Sequence, residues 1–240
     1  MTVYAVGMFH NEEDVAPYVV RHMLDQCERV IVADNRSSDR SRSLLEGLRN
    51  PRLTIVDERS NDYHQAATMQ ALIDMAIEPS WIVPFDFDEW WYSDEGRIAD
   101  VLRRFPGDQT AAQTIDMIPQ PSDADDPNPF RRIVCGRPDG FYTNPDYRKV
   151  AFRPGPGRHI MQGNHGVMGT DRPPYGPLRI RHYPFRSYEQ AAAKLRHGKG
   201  AVSRGSPPGT GLHWLEWGGY SDAKLRRWWA EWTDPKGLVR

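Results

Sequence analysis

Cysteine is nearly absent from this chain: Cys27 and Cys135 are the only two in 240 residues. They lie too far apart to form a metal-type Cys pair, so a disulfide scaffold is not expected and a reducing cytoplasm is the expected home. A surplus of either charge is also lacking, with 31 Lys+Arg against 32 Asp+Glu and a formal net charge of −1. A partner held through its phosphate backbone calls for a basic balance, so no nucleic acid is expected. No apolar run approaches the roughly 20 residues of a membrane-spanning helix. The first run, Val3 to Met8, meets His10, Asn11, Glu12 and Glu13 at once, so no signal peptide is expected. What remains is a chain with 39% hydrophobic and 11% aromatic residues, enough for a core and against disorder. The length suits one large domain or one domain with a small appendage.

Short continuous apolar runs recur through the first hundred residues: Val3–Met8, Val30–Ala33, Leu53–Val56 and Trp81–Phe85. Continuous runs suit strands buried on both faces, as in a parallel sheet. Helical patterns separate them. Val15, Tyr18, Val19, His22 and Met23 form one stripe over Asp14–Cys27, with Pro17 tolerable in the first turn. Ser41–Arg49 follows the capping cluster Ser37-Ser38-Asp39, and His64–Ile77 carries Ala66, Met69, Leu72, Ile73 and Ala76 on one side. This alternation predicts an α/β fold, a doubly wound and mostly parallel sheet with helices on both faces.

The pattern is looser beyond. A helix is predicted over Ile98–Phe105, strands over Thr110–Ile118, Arg148–Arg153 and Leu178–Tyr183, and a mobile Pro/Asp-rich loop over Gln120–Phe130. Ser187-Tyr188-Glu189-Gln190 has capping-box spacing and opens a helix expected to reach about Gly198. Residues 205–211 read as a flexible connector. Leu225, Trp228, Trp229 and Trp232 then share a helix face after a Ser221 cap, and five of the eight tryptophans lie between 214 and 232. That face suits docking on the body, sugar stacking or contact with a membrane interface. The expected division is a domain over 1–200, with halves 1–109 and 110–200, followed by a C-terminal helical extension over 201–240.

Open parallel α/β sheets bind ligands beyond the carboxyl ends of their strands. The four opening strands end in Phe9-His10-Asn11-Glu12, Asp34-Asn35-Arg36, Asp57-Glu58-Arg59 and Asp86-Phe87-Asp88-Glu89. In an extended segment Asp86 and Asp88 point the same way, and two converging carboxylates repel unless a cation intervenes. Mg²⁺ or Mn²⁺, with oxygen ligands and sites left for phosphate, is the economical answer. A solvated acidic turn is the alternative. Neither G-x-G-x-x-G nor G-x-x-x-x-G-K-[ST] occurs, which argues against a dinucleotide fold and a P-loop.

The opening Val3 to Asn11-Glu12-Glu13, the run Val30–Asp39, Gln65, Phe85-Asp86-Phe87-Asp88-Glu89-Trp90 and the late His182-Tyr183-Pro184-Phe185-Arg186-Ser187 together resemble a GT-A-fold glycosyltransferase of family 2, in a family 92-like subgroup. The resemblance spans roughly residues 3–200. It implies transfer of a sugar from a UDP- or GDP-sugar to an acceptor hydroxyl, with inversion and with Mn²⁺ or Mg²⁺. It implies that Phe9, His10, Asn11 and Glu12 line the nucleotide pocket, that Asp34 closes it, and that Gln65 lies near the ribose or sugar. Asp86 would contact ribose or metal, Asp88 the metal, and His182 would be a third ligand or a diphosphate contact. Asn11 and Asp34 could equally cap following helices, and a lone histidine is more often structural.

The family's later acidic pair, which supplies the base, has no convincing equivalent after residue 89. Asp125-Asp126 reads as loop. His165, in Gly163-Asn164-His165-Gly166, is the better candidate for taking the acceptor proton, with Asp116 and Glu189 as further candidates. Lys149 and Arg153 could balance phosphate, although ordinary surface cations are the plainer reading. A glycan, natural product or lipid-linked molecule would serve as acceptor, the last through peripheral membrane contact by Trp228, Trp229 and Trp232. A metal-dependent phosphoesterase or nucleotidyltransferase, or a non-catalytic nucleotide- or carbohydrate-binding protein, are the alternatives.

Overall fold

A computed structural model describes residues 2–59, 64–138, 148–205 and 211–239. The opening alternation is realised as β1 (Thr2–Phe9), α1 (Ala16–Gln26), β2 (Arg29–Asp34), α2 (Ser41–Glu46), β3 (Leu53–Asp57), α3 (Gln65–Asp74) and β4 (Pro79–Asp86). Then follow β5 (Glu89–Ser93), α4 (Ile98–Arg104), β6 (Gln109–Met117), a single helical turn α5 (Pro129–Arg132), β7 (Gly136–Arg137), β8 (Val150–Phe152), β9 (His159–Ile160), β10 (Val167–Met168) and β11 (Tyr175–His182). Three helices close the chain: α6 (Tyr188–Arg204), α7 (Leu212–Trp217) and α8 (Asp222–Trp232).

Nine strands form one sheet in the order β3-β2-β1-β4-β8-β6-β11-β5, with β7 beside β6. β1, β2, β3 and β4 are mutually parallel. Because β8 opposes both β4 and β6, and β11 is parallel to β6, the strands β1, β2, β3, β4, β6 and β11 run one way, and β5, antiparallel to β11, runs the other. Alternate residues of β1 enter separate cores, as the period-2 geometry of a strand requires. Val3 and Ala5 meet Val19, Met23, Leu45 and Leu102, carried by α1, α2 and α4, whereas Tyr4 and Val6 meet Met69, Leu72 and Ile73 of α3. The sheet is therefore wound with helices on both faces.

Only Phe87 and Asp88 separate β4 from β5, although β8, β6 and β11 lie between them in the sheet order. The sheet must curl back on itself for this connection to close. β5 and α7 were not anticipated, and α5 begins inside the stretch read as loop, where the Asn128 side chain accepts from the Phe130 N–H at 3.0 Å.

The helix predicted to stop near Gly198 instead runs to Arg204, so residue 200 falls inside it. Its start is as expected, with the Ser187 hydroxyl accepting from the Gln190 N–H. Gly198 does not end the helix because it serves packing: a Cβ there would lie 2.5 Å from the Trp214 ring. If Gly198 were merely tolerated, Gly198→Ala would stabilise by roughly 1 kcal/mol through helix propensity. We expect the opposite, a loss of about 1–3 kcal/mol from overpacking against Trp214, read from urea denaturation midpoints.

α8 is capped by Ser221 as predicted. Its indole face docks on the body: Trp228 and Trp232 meet Phe185 edge-on at 5.0 and 5.1 Å, Trp229 meets Tyr188 at 6.2 Å, and Leu225 is buried beneath them. Residues 206–210 of the predicted connector lie outside the described residues. No described helix is long and apolar enough to cross a membrane.

Candidate active site

The common strand direction delivers the carboxyl ends of β1, β2, β4, β6 and β11 to one edge of the sheet, where helices and loops leave a cleft of about 1400 Å³. Its walls include Phe9, His10, Asn11, Glu12, Gln65, Asp86, Asp88, His165 and His182, together with His197 and Lys194 of α6 and Trp214, Trp217 and Trp232 of the C-terminal helices. Asp34 is the one proposed pocket residue that does not line it.

The pairing of β6, β11 and β5 builds the floor. His182 is in register with Asp116 on one side and with Glu89 on the other. His182 Nδ1 lies 2.7 Å from Asp116 Oδ1, and its Nε2 lies 3.6 Å from Asp88 Oδ2. Burial works against a charged ring here, but Asp88 and Asp116 outweigh it and raise His182 to about 9. Burial also works against the Asp88 carboxylate, yet Lys194 and His182 hold it well below the usual carboxylate range. Lys194 Nζ is 2.5 Å from Asp88 Oδ2; burial of the ammonium is outweighed by Asp88 and Glu12, which keep it charged.

The extended segment from which Asp86 and Asp88 were expected to converge is not formed. The chain turns at Phe87–Asp88, sending the two carboxylates to different partners. Asp86 Oδ1 accepts from Gln65 Nε2 at 3.1 Å and Asn164 Nδ2 at 3.0 Å, while its Oδ2 receives Lys149 Nζ at 2.5 Å. Lys149 is no surface cation. It is 1% exposed and also reaches Glu89 Oε1 at 3.0 Å and the Gly163 carbonyl at 2.8 Å. Burial pushes the Glu89 carboxyl up despite Lys149. Asp88 and His182 thus face each other, while Asp86 is bonded to Gln65, Asn164 and Lys149.

Glu12 belongs to a third cluster. Arg186, 1% exposed, donates to Glu12 Oε2 at 2.5 Å and to both Asp14 oxygens at 2.7 and 2.9 Å. Burial nevertheless raises the Glu12 carboxyl against the pull of Arg186 and Lys194. Asn11, at φ 52°, uses its carbonyl oxygen to accept from the Ser38 N–H at 2.7 Å, tying down the loop after β2. Asp34 likewise accepts from the Ser37 N–H at 2.9 Å, so its visible role is to shape that loop. Phe9 sits in the floor against Phe87.

Gln65 joins two loops: besides holding Asp86, its Oε1 accepts from the Gly163 N–H at 3.2 Å. His165 follows on that second loop, half-buried in the cleft wall. Gly163 at φ 73° cannot be replaced without cost, since a Cβ would lie 2.5 Å from the His165 ring. His10 donates its Nδ1–H to the Asn35 carbonyl at 2.7 Å and stacks on His197 with ring centroids 3.9 Å apart. Burial, with His10 and Arg204 behind it, pulls His197 down to about 4. Between the unfolded value of about 6.5 and that value the unfolded chain binds a proton that the folded chain refuses. Stability is therefore expected to fall as pH drops through this window, and His197→Gln should flatten the dependence. Urea midpoints between pH 7 and 4.5 would check it.

Lys194 went unnoticed in the sequence, and Arg186 was noticed only within the late His182–Ser187 stretch. Their partners lie far away along the chain, Asp88 106 positions from Lys194 and Glu12 174 positions from Arg186, and no local pattern encodes such pairs.

The chain matches the glycosyl transferase family 2 model over residues 6–168, more than half its length, and it belongs to that family. No curated protein matches it. Among solved structures it is similar to the mannosyltransferase PcManGT of Pyrobaculum calidifontis in complex with GDP-Man and Mn²⁺, at 16% identity and a TM-score of 0.48, covering 96% of this chain and 73% of that one. It is also similar to S. aureus TarS 1-349 in complex with UDP-GlcNAc, at 12% identity and a TM-score of 0.45, covering 98% and 72%. A further TarS 1-349 structure matches at 13% identity and a TM-score of 0.44 over 64% of this chain, which there spans less than half of its counterpart, 47%.

Proposed function

We propose that this protein transfers a sugar from a nucleotide-diphosphate sugar to an acceptor hydroxyl, with a divalent metal, Mn²⁺ or Mg²⁺, bound at Asp88 and His182. The observation that carries the reading is the Asp88–His182–Asp116 arrangement at the floor of the cleft. Asp116 on Nδ1 fixes the imidazole so that Nε2 is directed at Asp88, the way carboxylates orient metal-ligating histidines, and an ion bound there would displace the Nε2 proton that the ring otherwise holds toward Asp88. Among the described residues no three His, Cys, Asp or Glu side chains gather as a complete site. Two protein ligands are what an ion sharing its shell with phosphate oxygens and water requires. Charge supports it too. Glu12, Asp14, Asp86, Asp88, Glu89 and Asp116 face Lys149, Arg186, Lys194 and the protonated His182 ring, six carboxyl groups against four cations, and that balance would repel a diphosphate unless a further cation came with it.

When bound, the metal supplies stabilisation of the charge that develops on the departing diphosphate. The chain's own groups do the rest in this reading. The donor occupies the half built by residues 1–109: His10 and the Asn11-pinned loop face the nucleoside, and Gln65 and Asp86 face the ribose or sugar. The acceptor enters from the 110–200 half and from the wall of Trp214, Trp217 and Trp232, whose rings suit the apolar face of a glycan or natural product. A cleft of about 1400 Å³ exceeds the roughly 300–1,000 Å³ of a single-ligand pocket, which leaves room for two substrates. His165 takes the proton of the acceptor hydroxyl as its oxygen bonds to the anomeric carbon and the nucleoside diphosphate leaves, with inversion. Both cysteines are free thiols, which supports a cytoplasmic setting.

Isothermal titration of UDP and GDP, with and without Mn²⁺, tests the reading. Metal-dependent binding of one nucleotide, lost in Asp88→Ala, is expected. Absence of binding under every condition would remove the donor-site assignment, and binding indifferent to metal would remove the ion.

A further inference from the structure

Three lysine and arginine side chains reach the carboxylates of the cleft floor, and they differ in how they are held. Lys149 is 1% exposed with three acceptors: Asp86, Glu89 and the Gly163 carbonyl. Arg186 is equally buried and bonds Glu12, Asp14 and the Tyr183 carbonyl. Lys194 is different. Its side chain is 23% exposed and lines the cleft, with Asp88 at 2.5 Å and Glu12 at 3.8 Å. It approaches the Asp88 oxygen that also faces His182 Nε2 at 3.6 Å. One carboxylate oxygen therefore faces an ammonium from α6 and an imidazole from β11.

That oxygen cannot hold the ammonium and a divalent ion at once without cost. A divalent ion held by Asp88 and His182 would sit within a few ångströms of the Lys194 ammonium, where like charges repel strongly at the dielectric of a half-buried site. The diphosphate of the donor would bring the compensating negative charge to the same place.

We propose that Lys194 is an exchangeable counter-ion. Without donor it neutralises Asp88 and Glu12, and when a metal-bound nucleoside diphosphate enters it swings from Asp88 to the phosphate oxygens. The inference rests on the metal-dependent reading given above. Lysine suits the task better than arginine: its flexible four-carbon stem carries a compact charge and three donors with no preferred planar geometry. The exchange makes Lys194 a ligand of the substrate and gives a thermodynamic signature. Lys194 opposes the metal on its own and favours the metal and diphosphate together.

The experiment titrates Mn²⁺ alone, followed by paramagnetic resonance of free Mn²⁺, and then titrates UDP and GDP calorimetrically at saturating Mn²⁺. Wild type, Lys194→Met, Lys194→Gln and Lys194→Arg are compared, with circular dichroism confirming the fold of each. The neutral variants should bind Mn²⁺ alone about tenfold more tightly, because a nearby like charge is gone. They should bind the nucleoside diphosphate roughly 10- to 100-fold more weakly, the loss expected for one charge-assisted hydrogen bond. Lys194→Arg should keep Mn²⁺ binding as weak as in wild type. UMP and GMP, which lack the second phosphate, should lose less than UDP and GDP in Lys194→Met. Neutral variants with unchanged or weaker affinity for Mn²⁺ alone would overturn the exchange while leaving the metal site intact. A wild-type protein that binds neither Mn²⁺ nor nucleotide would overturn the metal-dependent reading itself, and the exchange with it.

Discussion

Asp88→Asn is expected to lower sugar transfer by about 10²- to 10³-fold and to erase its response to Mn²⁺, the scale seen when one pre-organised electrostatic group is removed from a transition state. The change keeps the side chain's size and removes only its charge. Lys194 retains Glu12 at 3.8 Å, and His182 retains Asp116 at 2.7 Å, so the neighbouring cations are not stranded. The fold should survive, and the loss should fall on kcat and on metal affinity. Release of nucleoside diphosphate from donor and acceptor, measured over a Mn²⁺ series, checks this. Full turnover in Asp88→Asn would take Asp88 out of the reaction and leave His182 as a structural partner of Asp116.

Lys149→Met should act on stability, and strongly. Methionine matches the length of the lysine stem but leaves Asp86 and Glu89 without the cation between them, and Glu89 is 1% exposed. Breaking a buried ion pair by removing one partner costs about 3–5 kcal/mol. For a chain of this size that corresponds to a fall in Tm on the order of 10 °C. The cost has a pH signature. Burial already pushes Glu89 up, and without Lys149 it rises further. A protonated carboxyl needs no cation, so the penalty should shrink as pH falls toward the acidic side. Thermal melts of wild type and variant between pH 8 and 5 would show the two curves converging. A variant as stable as wild type at every pH would mean that Asp86 and Glu89 are neutralised by something other than Lys149. The same substitution removes the bond from Lys149 to the Gly163 carbonyl, so the loop carrying His165 should be held less tightly, through Asn164 to Asp86 and through the Gly163 N–H to Gln65.

Much of the first hundred residues was legible in the sequence because its information is local. Continuous runs such as Val30–Ala33 can only be buried on both faces, and the polar residues after each run fall at the carboxyl edge by the rule of the fold. The late stretch His182–Arg186 was legible only as a resemblance, and its chemistry lies in contacts that resemblance does not supply. The Asp86/Asp88 pair shows where local reasoning misleads. Period-2 geometry holds in a strand, and the chain leaves the strand at Phe87. Gly198 misled in the same way: a glycine in a helical pattern suggests an end, but here it makes room for Trp214.

Local sequence was enough for the α/β winding, the sheet edge at which the polar loops gather, the capped starts of α6 and α8 and the dearth of cysteine that leaves folding to a hydrophobic core. Hydrophobic period, capping and turn chemistry act over a few residues, and so can be read in order. Only the tertiary structure decided which carboxylate meets which cation: Asp86 with Lys149, Asp88 with Lys194 and His182, Glu12 with Arg186. The register of β5, β11 and β6 places His182, the pairing of β8 with β4 brings Lys149 to Asp86, and α6 carries Lys194 to Asp88. A charged side chain carries no mark of its partner; burial forces it to find one, and the fold determines which one lies within reach.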